Sequence, residues 1–121
     1  MRLSDTEWTV MQAVWTAGPT TARAVHGQVA DSTEWTYSTV RTLLTRLVEK
    51  GALSARKLGQ TTEYTALVSQ ESAQRSALRS LLERAFGGHV GPMVQHLVSD
   101  KNLSPKDREQ LQRLLEEEES P

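Results

Sequence analysis

The chain has 121 residues, 37% hydrophobic and 24% charged, with 14 Lys and Arg against 15 Asp and Glu for a net charge of −1. That balance suits one compact domain, or two very small ones sharing a core with a partner chain, and excludes a large enzyme and a disordered chain. Cysteine is absent, which removes disulfides, thiolate metal sites and cysteine nucleophiles; no apolar run approaches the ~20 residues of a membrane span, and MRLSDTEW lacks a signal-peptide core, so a cytoplasmic location with no membrane partner is expected.

The first helix is announced by LSDTEW: Ser4 as N-cap and Glu7 three residues later make a capping box, with Leu3 and Trp8 placed as a hydrophobic staple. Met11, Val14 and Trp15 continue the helical period, and Gly18-Pro19 stops it. Thr20-Thr21 caps a short second helix with Ala22, Val25 and Val29 on its inner face, ending near Asp31-Ser32. Thr36 caps a third helix, which Gly51 terminates; Val40, Leu43, Leu44, Leu47 and Val48 form its apolar stripe. Two short helices and an amphipathic third make a helix-turn-helix pattern.

After Gly51 the period shortens toward two. ALSARK and TTEYTALV, separated by LGQ, read as a hairpin with Gly59 in the turn; Leu53, Ala55, Tyr64 and Ala66 are expected to face the core. A hairpin directly after a helix-turn-helix is a wing. Helical pattern resumes at Ser72 with Ala77, Leu78, Leu81, Leu82, Ala85 and Phe86, broken by Gly87-Gly88. A fifth helix carries Val90, Met93, Val94, Leu97 and Val98, and a sixth, starting at Ser104-Pro105 with Asp107 at N3, carries Leu111, Leu114 and Leu115. Three apolar stripes are more than one small chain can hide, and a self-complementary homodimer would bury them. The expected architecture is mainly α: a winged helix-turn-helix DNA-binding domain over residues 1–70, then a three-helix dimerisation domain over 71–121.

The outward face of the third helix explains the wing. Ser38, Arg41, Thr42 and Thr45, flanked by Thr39 and Arg46, stand where an ordinary solvated helix carries Glu, Lys and Gln. Short side chains let a helix approach base edges in a major groove; hydroxyls bond to bases or phosphates, a Thr methyl touches thymine, and Arg makes a bidentate contact to guanine. Charge is segregated in the same sense: residues 36–62 hold five basic residues against one acidic, a local +4, and residues 71–121 are net −2. A polar stripe alone is more often merely solvated. Its place as third helix before a hairpin bearing Arg56, Lys57 and Gln60 points to double-stranded DNA as partner.

LSDTEWTVMQAVW, TYSTVRTLLTRLVEKG, a wing with a late tyrosine, LVS and a Leu-rich tail containing NLSPKDREQLQRLL resemble the BlaI/MecI family of penicillinase repressors, with copper-responsive relatives, over nearly the whole chain. The resemblance implies a winged-helix repressor binding palindromic operators as a dimer, with groove contacts carried over onto Ser38, Thr39, Arg41, Thr42 and Arg46. Family wings often have Gly-Arg at the tip where this chain has Gly59-Gln60, and copper-responsive members carry a C-terminal cysteine cluster absent here. Induction in antibiotic-responsive members involves cutting an Asn-Phe bond in the fifth helix, for which His96-Leu97 is the nearest match.

Two alternatives stand beside this one. A winged helix used only for protein contact predicts an apolar or acidic outer face on the third helix. A metal-responsive sensor could use His89 and His96, seven apart, but no third ligand lies near them in sequence. No phosphate-cradling glycine loop, nucleophile elbow or HExxH pattern marks an enzyme, no cofactor is implied, and the acidic run at 116–119 reads as a solvated helix end.

Overall fold

The capping box at Ser4 forms. In the computed structural model, which describes residues 1–119, the Glu7 amide donates to Ser4 Oγ at 3.3 Å and the Ser4 amide to Glu7 Oε1 at 2.8 Å, satisfying two orphan donors at once. Helix α1 (Asp5–Ala17) runs from there to Gly18 and buries Val10, Met11, Ala13 and Val14. Helix α2 (Ala22–Thr33) is capped by Thr21, whose hydroxyl accepts the Ala24 amide at 3.2 Å. Glu34, left-handed at φ 59°, and Trp35 turn the chain into α3 (Tyr37–Glu49), where Thr36 accepts the Thr39 amide at 3.1 Å. Val40, Leu43, Leu44 and Leu47 are buried and Val48 packs against them, as the stripe requires.

A small antiparallel sheet closes the helices, in the order β1 (Thr20–Thr21), β3 (Thr61–Ala66), β2 (Leu53–Leu58). The first strand is not legible in sequence, because two residues cannot display a period; its pairing of Thr20 with Tyr64 exists only in the fold. In the hairpin Leu58 pairs with Thr61, so Leu58 belongs to the strand and the turn is Gly59-Gln60, with Gly59 at φ 66°, a conformation that costs glycine nothing. Leu53 and Tyr64 are buried and Ala66 packs on the core, but the expected inward placement of Ala55 is wrong: it is exposed. It lies on the edge strand opposite Tyr64, and only the first residue of β2 is covered by the helices. From Ala55 to Leu58 the strand β2 is exposed. Trp15 Nε1 donates to the Val68 carbonyl at 2.9 Å, tying α1 to the chain leaving the wing.

An ion pair between a buried carboxylate and an exposed lysine closes this core. Glu7 is 3% exposed; Lys50 Nζ donates to its Oε1 at 2.6 Å and to the Arg2 carbonyl at 2.8 Å, joining the start of α1 to the end of α3. Burial pushes the Glu7 carboxyl up, but the Lys50 hydrogen bond, the Ser4 amide and hydroxyl and the Lys50 charge together outweigh it, leaving the pKa lowered. A carboxyl with a depressed folded pKa contributes stability above its unfolded pKa, and that contribution is lost as pH falls through the folded value. Lys50→Met strands a buried carboxylate whose Oε2 already lacks a protein partner, and should cost about 2–3 kcal/mol in urea unfolding at pH 7. The cost should shrink in acid as Glu7 protonates. Equal costs at neutral and acid pH would mean that Lys50 acts by packing alone.

The chain separates into two compact units, Met1–Ala77 and the residues from Leu78 onward. Helix α4 (Gln70–Phe86) is continuous across that division and begins two residues before the expected Ser72, because Ser69 Oγ accepts the Ser72 amide at 3.1 Å and sets the cap earlier. After Gly87-Gly88 come α5 (Val90–Ser99) and α6 (Pro105–Glu119); Ser104 Oγ accepts the Asp107 amide at 3.0 Å, the cap read from Ser104-Pro105. Arg108 donates to the Val98 carbonyl at 2.6 Å and the Asp100 carbonyl at 3.3 Å, holding the α5–α6 connection. No residue of α4 or α5 is buried. Leu78, Leu81, Val90, Leu97, Leu114 and Leu115 stand exposed, and Leu82, Phe86, Met93, Val94, Val98 and Leu111 are half-covered.

Candidate nucleic-acid interface

The α3 face that turns from the core holds the expected residues together. Ser38, Arg41, Thr42, Thr45 and Arg46, with Tyr37 and Glu49, line one open depression of ≈ 500 Å³. The helix is held by its opposite stripe, so the polar side chains are carried on a rigid element. Thr42 Oγ1 donates to the Ser38 carbonyl at 3.1 Å and Thr45 Oγ1 to the Arg41 carbonyl at 3.0 Å. With the hydroxyl protons spent on the helix, these threonines present outward only an acceptor oxygen and a methyl group. Thr39 is committed differently: its hydroxyl lies 3.1 Å from that of the cap residue Thr36.

The electrostatics differ from the sequence count in two places. Lys50, one of the five counted cations, has its charge compensated by Glu7. Glu63, one residue beyond the counted stretch, stands opposite Arg56 in the β2–β3 register, while Lys57 faces Thr62. Among the described residues, Arg41, Arg46, Arg56 and Lys57 have no carboxylate within ion-pair distance. Neither α2 nor α3 carries an acidic residue in its first turn, although α1, α4 and α6 all do, so the positive ends of α2 and α3 are left uncompensated. Gln60 is exposed at the wing tip.

Three residues that sequence reasoning passed over join this face. Arg23 and Arg41 place their guanidinium carbons 5.5 and 6.0 Å from the Tyr37 ring centroid, and His26 meets that ring edge-on at 6.1 Å. His26 Nε2 lies 2.9 Å from the Trp35 carbonyl in the turn between the helices. Tyr37 was in plain view as the first residue of α3; Arg23, 14 residues earlier, joins it only once the helix-turn-helix is folded.

His89 and His96, the pair weighed for metal, stand at the cap of α5 and in its last turn, the ring of His96 packed 5.8 Å from that of Phe86. Among the described residues no group of three His, Cys, Asp or Glu gathers as a metal site. The His96-Leu97 bond lies inside α5.

Three helices with the third bearing a polar outward face, closed by a β-hairpin on a three-stranded antiparallel sheet, define a winged helix-turn-helix regulator. Residues 3–117 match the family model described as penicillinase repressor. The chain belongs to that family. It is 28% identical to the penicillinase repressor of Bacillus licheniformis over 116 residues, covering 96% of this chain and 91% of that one. It is 26% identical to the methicillin resistance regulatory protein MecI of Staphylococcus aureus strain N315, covering 93% and 92%. An uncharacterised 16.5 kDa protein of Latilactobacillus sakei is 36% identical, covering 93% of this chain and 77% of the relative. Among solved structures, the DNA-binding domain of the repressor BlaI superposes with a TM-score of 0.54 at 30% identity, covering 59% of this chain and 87% of that domain. The monomeric form of Bacillus licheniformis BlaI in complex with the blaP half-operator gives 0.52 at 29% identity, covering 60% and 88%.

Proposed function

We propose that this protein is a transcriptional repressor that binds a palindromic operator as a homodimer, each subunit laying α3 in a major groove and the β2–β3 wing along the flanking backbone. The observation that carries this is the outward face of α3: two arginines with no carboxylate partner among the described residues and three short hydroxyl side chains, Ser38, Thr42 and Thr45, gathered in one depression on a helix fixed by its buried side. Arg41 and Thr42, in the first half of α3, are assigned to bases; Arg46, Arg56, Lys57 and Gln60 are assigned to the backbone, with Ser38, Thr39 and Thr45 completing the contact surface. The relative solved with half-operator DNA supports the same use of the same fold. The exposed leucines and valines of α4 to α6 supply the dimer surface, residues 71–121 serve as the dimerisation domain beside a DNA-binding domain of residues 1–70, and two-fold pairing matches a palindrome. The role needs no cofactor and no catalysis, and it places the protein in the cytoplasm with its DNA. No helix of the described residues is long and apolar enough to cross a membrane.

The test is duplex binding by the full chain against salt. Affinity should fall with added salt with a log–log slope of about −3 to −4 per subunit if Arg46, Arg56, Lys57 and one further cation each meet a phosphate. Arg56→Ala or Lys57→Ala should weaken all sequences alike and take about one off that slope each, with Arg56 the smaller because Glu63 faces it. Binding that stays flat from low to moderate salt overturns the groove arrangement.

A further inference from the structure

The geometry points to Tyr37 as a positioning residue that couples Arg41 to Arg23, holding Arg41 toward a base edge while Arg23, from α2, takes a phosphate beside it. This rests on the DNA-binding function proposed above and adds two residues to it. Both guanidinium groups sit near one aromatic ring, at 5.5 and 6.0 Å from its centroid, and among the described residues neither has a carboxylate partner. Two like charges drawn to one ring leave a concentration of positive charge that no carboxylate among the described residues pairs with; a polyanion would neutralise it. The ring itself is held in place. His26 packs edge-on against it at 6.1 Å, and the Nε2 of His26 lies 2.9 Å from the Trp35 carbonyl, so the turn, α2 and the start of α3 fix the Tyr37 ring together. Tyr37 and Arg41 are four apart on one helix face, the spacing at which side chains meet. An arginine attracted to a fixed aromatic surface explores fewer rotamers than a free one, and less conformational entropy is lost when it docks on a base.

The consequence is coupling. Arg41 discriminates between sequences, so a residue that orients Arg41 affects discrimination, whereas one that only builds the helix end affects all binding or stability. The experiment uses the full chain, a duplex enriched by that chain from a randomised library, and a scrambled duplex of the same composition, at one salt concentration. Tyr37→Ala should lower the ratio of enriched to scrambled affinity by roughly three- to five-fold, the size of an exposed cation–π contact. Tyr37→Phe, which keeps the ring face, should restore the ratio. In an Arg41→Ala background Tyr37→Ala should leave the ratio unchanged, since the side chain it orients is gone. Arg23→Ala should weaken both duplexes alike and shallow the salt slope. Tyr37→Ala that lowers the ratio by the same factor with or without Arg41 overturns the coupling, as does Tyr37→Phe behaving like Tyr37→Ala. A chain in which Arg41→Ala also leaves the ratio untouched fails earlier, at the assignment of α3 to the groove. Thermal melts of each variant separate both outcomes from misfolding.

Discussion

Arg41→Ala should cost roughly 1–3 kcal/mol on the cognate duplex and little on a random one, while Arg46→Ala should weaken both by similar factors. Arg41 stands in the first half of α3, at the Tyr37 edge of the polar face, and Arg46 in the last turn at its other edge, with Ser38, Thr42 and Thr45 between them; the N-terminal part of a recognition helix is the part that meets base edges. The comparison is a titration of each variant against both duplexes at one salt concentration. Arg41→Ala weakening both equally would reduce its role to charge. Neither substitution having any effect would leave the polar face of α3 to a protein partner, and the DNA-binding proposal with it would fall. Thr42→Val belongs to the same set: the valine keeps a methyl group and loses the acceptor oxygen, so sites reading thymine through that methyl should be spared.

The larger effect is expected from the helical half. Leu81 and Leu115 are 45% and 43% exposed in the single chain. Covering the exposed part of such a leucine is worth about half the ~1.5–3 kcal/mol of a whole side chain, and a two-fold interface counts each position twice, so Leu81→Asp or Leu115→Asp should weaken dimerisation by about 1.5–3 kcal/mol, with the cost of desolvating two carboxylates added to it. Sedimentation equilibrium of the full chain reads this directly. A chain ending at Ser69 keeps the Trp15 hydrogen bond to Val68 and should fold as a monomer that binds half an operator. If that short chain still sediments as a dimer at micromolar concentration, the apolar surface of α4 to α6 has another occupant.

The elements that could be read in advance were those whose local chemistry decides them. The capping box at Ser4 and Glu7, the Thr36 cap and the Val40 to Val48 stripe are each complete within a few residues, and each forms as its sequence dictates. What could not be read depends on who stands opposite. Thr20-Thr21 is a strand only because Tyr64 and Glu63 lie beside it, and Ala55 fails to reach the core because only the start of its strand is covered. The charge count erred for the same reason: Lys50 looks free until α1 brings Glu7 to within 2.6 Å of it. The candidate interface divides likewise. Ser38, Arg41, Thr42 and Thr45 follow from helical spacing, but Arg23 reaches Tyr37 across the turn between two helices, and no periodicity within either helix announces the meeting.

Helices α4 and α5, in which no residue is buried in the single chain, also bear on how the protein would respond to its own abundance. If the leucine faces close only between two subunits, then below the dissociation constant of the pair the dimer's concentration follows the square of the subunit's, by mass action. Halving the amount of protein would then remove about three quarters of the form that spans a palindrome. A gene under such control would open sharply as copy number declines, whether by dilution at cell division or by any process that removes subunits, and the threshold would be set by Leu81, Leu115 and their neighbours rather than by any residue that touches DNA.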